Sequence, residues 1–157
     1  LADEIVVLVG GKILQTGPVL DVFTRPANAE VARFVGVETL QPGRIMSVTD
    51  GLALVNIGNT LLTALAPAAA SPNVFVCIRG EDVILQRDAT TASSVRNRLA
   101  ARVVSLRNEG ALVRVELDAG FPLFALITRP ACAELALRES DTVTALIKAP
   151  AIHLVPR

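Results

Sequence analysis

Gly43-Arg44-Ile45-Met46-Ser47-Val48 and Ala101-Arg102-Val103-Val104-Ser105-Leu106 are two versions of one strand, with Arg in the second place and Ser in the fifth. The likeness continues downstream. Leu52-Ala53-Leu54-Val55-Asn56-Ile57 parallels Ala111-Leu112-Val113-Arg114-Val115-Glu116, and Cys77-Ile78-Arg79-Gly80-Glu81-Asp82-Val83 parallels Leu146-Ile147-Lys148-Ala149-Pro150-Ala151-Ile152. Self-similarity at a fixed spacing marks a duplicated unit. The offset is 102 − 44 = 58 at the first pair and 148 − 79 = 69 at the last, and the extra 11 residues are expected where the second copy inserts a helix. Short runs rich in Val, Ile and Leu between turn residues predict strands near 42–48, 52–57, 60–65, 74–79 and 82–86 in copy one. In copy two they predict strands near 98–107, 111–118, 122–127, 142–149 and 151–155, with a helix near 130–137. The expected fold class is mainly β: two tandem OB-like five-stranded barrels over residues 38–88 and 92–157, joined by a polar linker.

Ahead of the repeat, residues 1–37 read as a separate leading segment. Glu4-Ile5-Val6-Val7-Leu8-Val9 is a continuous apolar run, Gly10-Gly11 a turn, and Lys12-Ile13-Leu14-Gln15 a returning strand, so a hairpin is expected. Pro18 then opens a short helix that Arg25-Pro26 stops, with Val19, Val22 and Phe23 on one face. A second helix over about 28–35 places Val31, Phe34 and Val35 together and ends at Gly36. The chain opens on Leu1 rather than Met and reads as a piece of a longer polypeptide. Acidic Asp3 and Glu4 stand where the basic start of a signal peptide would be.

Composition narrows the function. The charges balance at 15 basic and 15 acidic residues, so no net field draws the chain to nucleic acid or to an anionic membrane. There is no Trp or Tyr and there are five Phe, too few for a base-stacking platform. No apolar stretch reaches the roughly twenty residues a membrane helix needs. Cys77 and Cys132 lie far apart in apolar surroundings and are expected to be free buried thiols rather than a disulfide. Neither has a neighbouring His that would make it a nucleophile.

The polar residues of copy two form the candidate site. Ser94-Val95-Arg96-Asn97 precedes its first strand, Thr128 stands at the mouth of its helix, and Lys148-Ala149 follows about fifty residues after the first group. Two cations, two hydroxyls and an amide in an apolar, strand-rich segment suit a small tetrahedral oxyanion. Thr128 is expected to cap the helix. Lys148 is expected within the strand 142–149, where an unpaired ammonium is costly and a partner is required: the ligand, or a carboxylate such as Glu116 or Asp118. Asn97 either adds its amide to the ligand or fixes the linker. His153 alternates with Ile152 and Leu154 and is expected to face outward as a polar residue, not to bind metal, because no second ligand lies nearby. Copy one is poorer: the counterpart of Lys148 is Arg79, followed by Glu81 and Asp82, whose charges would repel a dianion.

The opening Leu1-Ala2-Asp3-Glu4-Ile5 through Thr16-Gly17, then Pro18-Val19-Leu20-Asp21-Val22-Phe23-Thr24-Arg25-Pro26 and Val31-Ala32-Arg33-Phe34-Val35-Gly36, resemble the last hairpin and helices of an ABC-transporter ATPase domain. The remainder resembles the duplicated Mop/TOBE region that follows the ATPase in molybdate and tungstate importers. Ser94-Val95-Arg96-Asn97 is similar to that family's S-A-R-N. Leu135-Ala136-Leu137-Arg138-Glu139-Ser140-Asp141-Thr142-Val143 is similar to L-x-L-x-x-G-x-x-V, with Ser140 for Gly. Ala145-Leu146-Ile147-Lys148-Ala149-Pro150 is similar to A-x-I-K-A-[SP]. The family's T-x-x-S becomes Thr128-x-x-Ala131 here, which loses a hydroxyl.

The resemblance implies molybdate or tungstate as ligand, held by Ser94, Arg96, Asn97, Thr128, Lys148 and Ala149 of copy two, with copy one as a structural half. It implies a homodimer joined to a parent ATPase domain and transmembrane permease subunits, on the cytoplasmic face of the membrane. It implies no cofactor in this segment, with ATP and Mg²⁺ used only by the parent chain. No enzymatic role is expected of the segment itself, since the sequence has no G-x-x-x-x-G-K-[ST] loop, no L-S-G-G-Q signature and no histidine other than His153. Two other readings stay open: a TOBE interaction domain of a sulfate, polyamine, iron or sugar importer without a bound oxyanion, and a free-standing molybdate storage or sensor protein.

Overall fold

The computed structural model describes residues 3–68, 71–88 and 90–157. The leading segment is a hairpin, β1 (Glu4–Val9) and β2 (Lys12–Pro18), followed by α1 (Val19–Thr24) and α2 (Ala29–Phe34). Gly10 and Gly11 both take positive φ at the hairpin turn, which is the conformation such a tight turn requires. Pro18 is the last residue of β2 and the N-cap of α1, one place earlier than expected. Asn28 caps α2 by accepting the Val31 N–H at 2.9 Å. Val7, Val22 and Val31 bury a small core of their own, and Ala32 of α2 joins Cys77 and Val155 in a third cluster that ties the segment to the repeats.

Copy one supplies β3 (Thr39–Thr49), β4 (Leu52–Ile57), β5 (Thr60–Leu65), β6 (Asn73–Ile78), a 3-10 turn Gly80–Asp82 and β7 (Ile84–Gln86). Copy two supplies β8 (Asn97–Glu109), β9 (Leu112–Asp118), β10 (Pro122–Thr128), α3 (Arg129–Glu134), β11 (Thr142–Ile147), a 3-10 turn Ala149–Ala151 and β12 (Ile152–Pro156). The chain is mainly β, with two half-barrel, OB-like sheets.

The sheets exchange their last strands. One sheet runs β10-β9-β8-β11-β7 and the other β12-β6-β3-β4-β5. Each sheet therefore takes four strands from one copy and a short fifth from the other. The sequence boundary at residues 88–92 does not coincide with a boundary between the sheets. Inward side chains of both, from Ala53 and Val55 to Leu123 and Leu154, form one continuous core.

Register corrects the alignment of the copies. β3 and β8 share a bulge, between Ile45 and Ser47 and between Val103 and Ser105, at the expected offset of 58. Beyond it Leu54 pairs with Ser47 and Glu116 with Ser105, so β4 and β9 are related by 116 − 54 = 62, not by the 59 implied by matching Leu52 to Ala111. Burial agrees: Ala53, Val55 and Ile57 are buried, as are Val115, Leu117 and Ala119. The odd slip of three would have placed outward residues inward. The β8–β9 hairpin is four residues longer than its counterpart, so only part of the 11-residue insertion belongs to α3. That helix ends at Glu134, three residues before the expected 137, with Ala136 in left-handed backbone beyond it.

The two half-barrels meet at equivalent turns. Gly58 and Gly120 both have positive φ, and a Cβ on Gly58 would lie 2.3 Å from the Gly120 carbonyl oxygen. Thr60 Oγ1 donates across the same junction to Ala119 O at 2.7 Å.

Candidate oxyanion site

Asn97 is one of two buried polar residues among those described, and the other is Thr39, at the equivalent position 58 residues earlier. Asn97 pairs with Ile147 at the end of its sheet, and Thr39 pairs with Ile78. The Asn97 side chain reaches across to the outer edge of β5 in the other sheet. Its Oδ1 accepts the Thr63 N–H at 2.7 Å, and its Nδ2 donates to Thr63 O at 2.8 Å and Ile147 O at 3.1 Å. Thr39 mirrors this: its Oγ1 accepts the Phe124 N–H of β10 at 3.0 Å. Both amide protons of Asn97 are thus committed to backbone carbonyls, and its side chain has no donor left for an anion. Asn97 shapes the site; of the two roles the sequence left open, fixing the backbone is the one its contacts serve.

Arg96 and Lys148 are the next residues outward from the Asn97–Ile147 pair, on its two sides. Adjacent strands lie about 4.8 Å apart, so the two backbones leave the sheet side by side. Both side chains are exposed, and neither forms an ion pair with a described residue. Lys148 is not inside a strand: β11 stops at Ile147, so the expectation of a buried ammonium in need of a partner is corrected, and its charge is solvated. Glu116, one of the alternative partners, instead accepts the Ser105 hydroxyl at 3.0 Å. Ser94 is exposed just before Arg96, and Ala149 is buried at the start of its 3-10 turn. Lys148 also lines a cleft of about 660 Å³ shared with Arg25, Arg79, Phe23 and His153.

Thr128 caps α3 as expected, its Oγ1 accepting the Ala131 N–H at 3.2 Å, which leaves its own O–H proton free to donate. Its strand, β10, lies against the copy-one turn Gly80–Asp82, whereas β5 lies against Ala149–Ala151. Thr128 therefore extends from the strand that faces the other turn.

His153 is not the outward-facing residue expected from alternation. It is half-buried, and its Nε2 donates to Pro26 O at 3.0 Å, tying β12 to the leading segment. Burial pushes its pKa down, the Pro26 carbonyl opposes this, and nearby Arg25 adds to the depression. Cys77 and Cys132 are both free. Cys77 is buried and its thiol pKa is pushed up to about 12, while Cys132 is half-buried rather than buried. Arg87 carries no motif or periodic signal in the sequence, yet it donates to Leu135 O at 2.8 Å and to Ala136 O and Asp141 at 2.7 Å, clasping the end of α3.

Residues 93–154 match the TOBE domain family. Over 99% of its length the chain is 37% identical to the molybdate/tungstate import ATP-binding protein WtpC of Pyrococcus horikoshii, and over 94% it is 33% identical to the molybdenum import ATP-binding protein ModC of Vibrio cholerae. It spans about 43% of the length of each. Among solved structures it is similar to the cytoplasmic molybdate-binding protein ModG with molybdate bound, with a TM-score of 0.66 and 25% identity over 77% of this chain and 98% of that one. The chain is a TOBE/Mop-type β module, and its relatives over nearly its whole length are ATP-binding subunits of molybdate and tungstate importers.

Proposed function

We propose that this chain is the substrate-sensing region of an ABC importer's ATP-binding subunit and that it binds molybdate or tungstate between Arg96 and Lys148. The observation that carries this reading is that Arg96 and Lys148 are the next residues out from the Asn97–Ile147 pair on adjacent strands, both exposed and neither in an ion pair with a described carboxylate. A dianion held between the two cations would accept charge-assisted hydrogen bonds from both, each contributing roughly 1.5–3 kcal/mol. Ser94 and the backbone at Ala149 are the further contacts assigned within the chain; Thr128, on the strand that faces the copy-one turn, is assigned to the ligand of a second copy in the homodimer, and Asn97 holds the two strands in register.

In this reading the chain works as a homodimer in the cytoplasm, attached to its ATPase domain and, through it, to membrane-spanning permeases. No helix among the described residues is long and apolar enough to cross a membrane itself. Oxyanion binding lowers transport when the ligand is abundant, which requires that it bind one state of the transporter more tightly than another.

Titration calorimetry of the chain with molybdate, tungstate and sulfate tests the ligand. Heat from the first two, abolished in the Arg96→Ala/Lys148→Ala double variant, is the expected result. Silence from all three anions refutes it and favours a TOBE interaction module with no small ligand.

A further inference from the structure

The duplication invites a residue-by-residue comparison of the two ends at which an oxyanion could sit. Four features fix the equivalence: the closing pairs Thr39–Ile78 and Asn97–Ile147, the cross-sheet bonds from Phe124 and Thr63, the bulges at the same offset, and the 3-10 turns that follow. By these, Glu38 corresponds to Arg96, Arg79 to Lys148 and Gly80 to Ala149.

The charge at the first of these positions is reversed, and its use is visible. Glu38 Oε2 accepts the Gly80 N–H at 2.8 Å, in a half-buried setting. Arg79 does not wait for a ligand. Its Nε and Nη2 donate to Phe23 O at 3.3 and 3.0 Å, so this cation holds α1 instead. Gly80 itself has no room for a side chain, since a Cβ would stand 2.9 Å from Leu126 Cγ and 3.1 Å from Leu126 N. Asp82 next to it has its pKa raised, chiefly by burial and then by Glu81, with Glu38 adding to the crowding of negative charge and Arg79 opposing it.

We propose that Glu38 is an internal ligand that closes the copy-one position, so that one chain takes up one oxyanion rather than two, and that copy one serves instead as the anchor of the leading segment. This rests on the reading of Arg96 and Lys148 given above. A carboxylate already seated on the Gly80 N–H occupies the place of a dianion's oxygen, and with Glu81 and Asp82 it repels any second anion.

Two measurements test it. In the amide NMR spectrum of the chain, molybdate is expected to shift the Ala149 and Arg96 signals and to leave Gly80 unmoved, and calorimetry is expected to give one molybdate per chain. In a Glu38→Arg/Glu81→Ala/Asp82→Ala variant the stoichiometry is expected to rise to two, with the Gly80 amide now shifting. Two molybdates per wild-type chain, or a Gly80 shift as large as that of Ala149, overturns the proposal while leaving the Arg96–Lys148 site standing. A triple variant that keeps its fold by circular dichroism yet still binds one also overturns it. No binding by the wild-type chain removes the site reading and this proposal together.

Discussion

Replacing Asn97 by Ala removes a side chain that grips β5, the edge strand of the opposite half-barrel, through both the N–H and the carbonyl of Thr63. Three hydrogen bonds disappear, to Thr63 N, Thr63 O and Ile147 O. β5 is the last strand of its sheet, so the Thr63 groups on that side have no neighbouring strand to take over. At about 1 kcal/mol for each bond, rising where a buried partner is stranded, the loss comes to about 3–5 kcal/mol. For a domain of this size, 1 kcal/mol moves the melting temperature by about 2–4 °C, so a drop of about 6–20 °C is expected. Thr39→Val removes the single equivalent bond to Phe124 and sets the scale at about 1–2 kcal/mol.

Urea denaturation followed by circular dichroism measures both variants. Asn97→Asp gives a second signature. Its carboxylate would face two carbonyls, its pKa would be raised in the folded state, and its stability would be present at low pH and lost as pH rises. A cost for Asn97→Ala no greater than that for Thr39→Val would refute the bridging role, as would a flat pH profile for Asn97→Asp.

Gly58→Ala sets a Cβ against the Gly120 carbonyl at a positive φ and is expected to cost several kcal/mol. Gly11→Ala, also at positive φ but with nothing within 4 Å, should cost only about 1 kcal/mol; thermal melts compare them. His153 has a folded pKa below its ordinary value of about 6.5, so the folded state binds fewer protons there, and the stability this supports falls as pH drops below that value. Asp82, raised in its turn, acts in the opposite sense. The difference between wild type and His153→Gln in melts from pH 7.5 to 5 isolates the histidine, and a difference that does not change with pH refutes its burial. Arg87→Ala should cost only about 1 kcal/mol, because its contacts are exposed, yet it should raise hydrogen exchange at residues 135–141; unchanged exchange there would show that the clasp on α3 is idle.

The strands were legible because their signal is local. Alternation in β4 and β9 set inward against outward faces, Gly-containing turns closed the hairpins, and the Arg-x-x-Ser echo at Arg44 and Arg102 revealed the duplication before any fold was known. Short-range motifs likewise picked out Thr128 as a cap and Arg96 with Lys148 as the cations of interest. What needs a partner across the sheet is not legible along the chain. Matching the copies by sequence puts β4 and β9 three residues out of register, because nothing along the chain shows which residue lies across a bulge. The apolar run before Lys148 likewise does not reveal that its ladder stops at Ile147.

The amino-acid order alone determined the class of fold, the repeat and the inventory of charged groups, all of which depend on residue type and spacing. Only the tertiary structure decided that the half-barrels exchange their last strands, that Asn97 is spent on β5, and that Glu38 sits on Gly80 where its counterpart Arg96 forms no ion pair with a described carboxylate. Those three facts join residues 34 to 82 positions apart, and such contacts follow from how the sheets close over a common core rather than from any local preference of the chain.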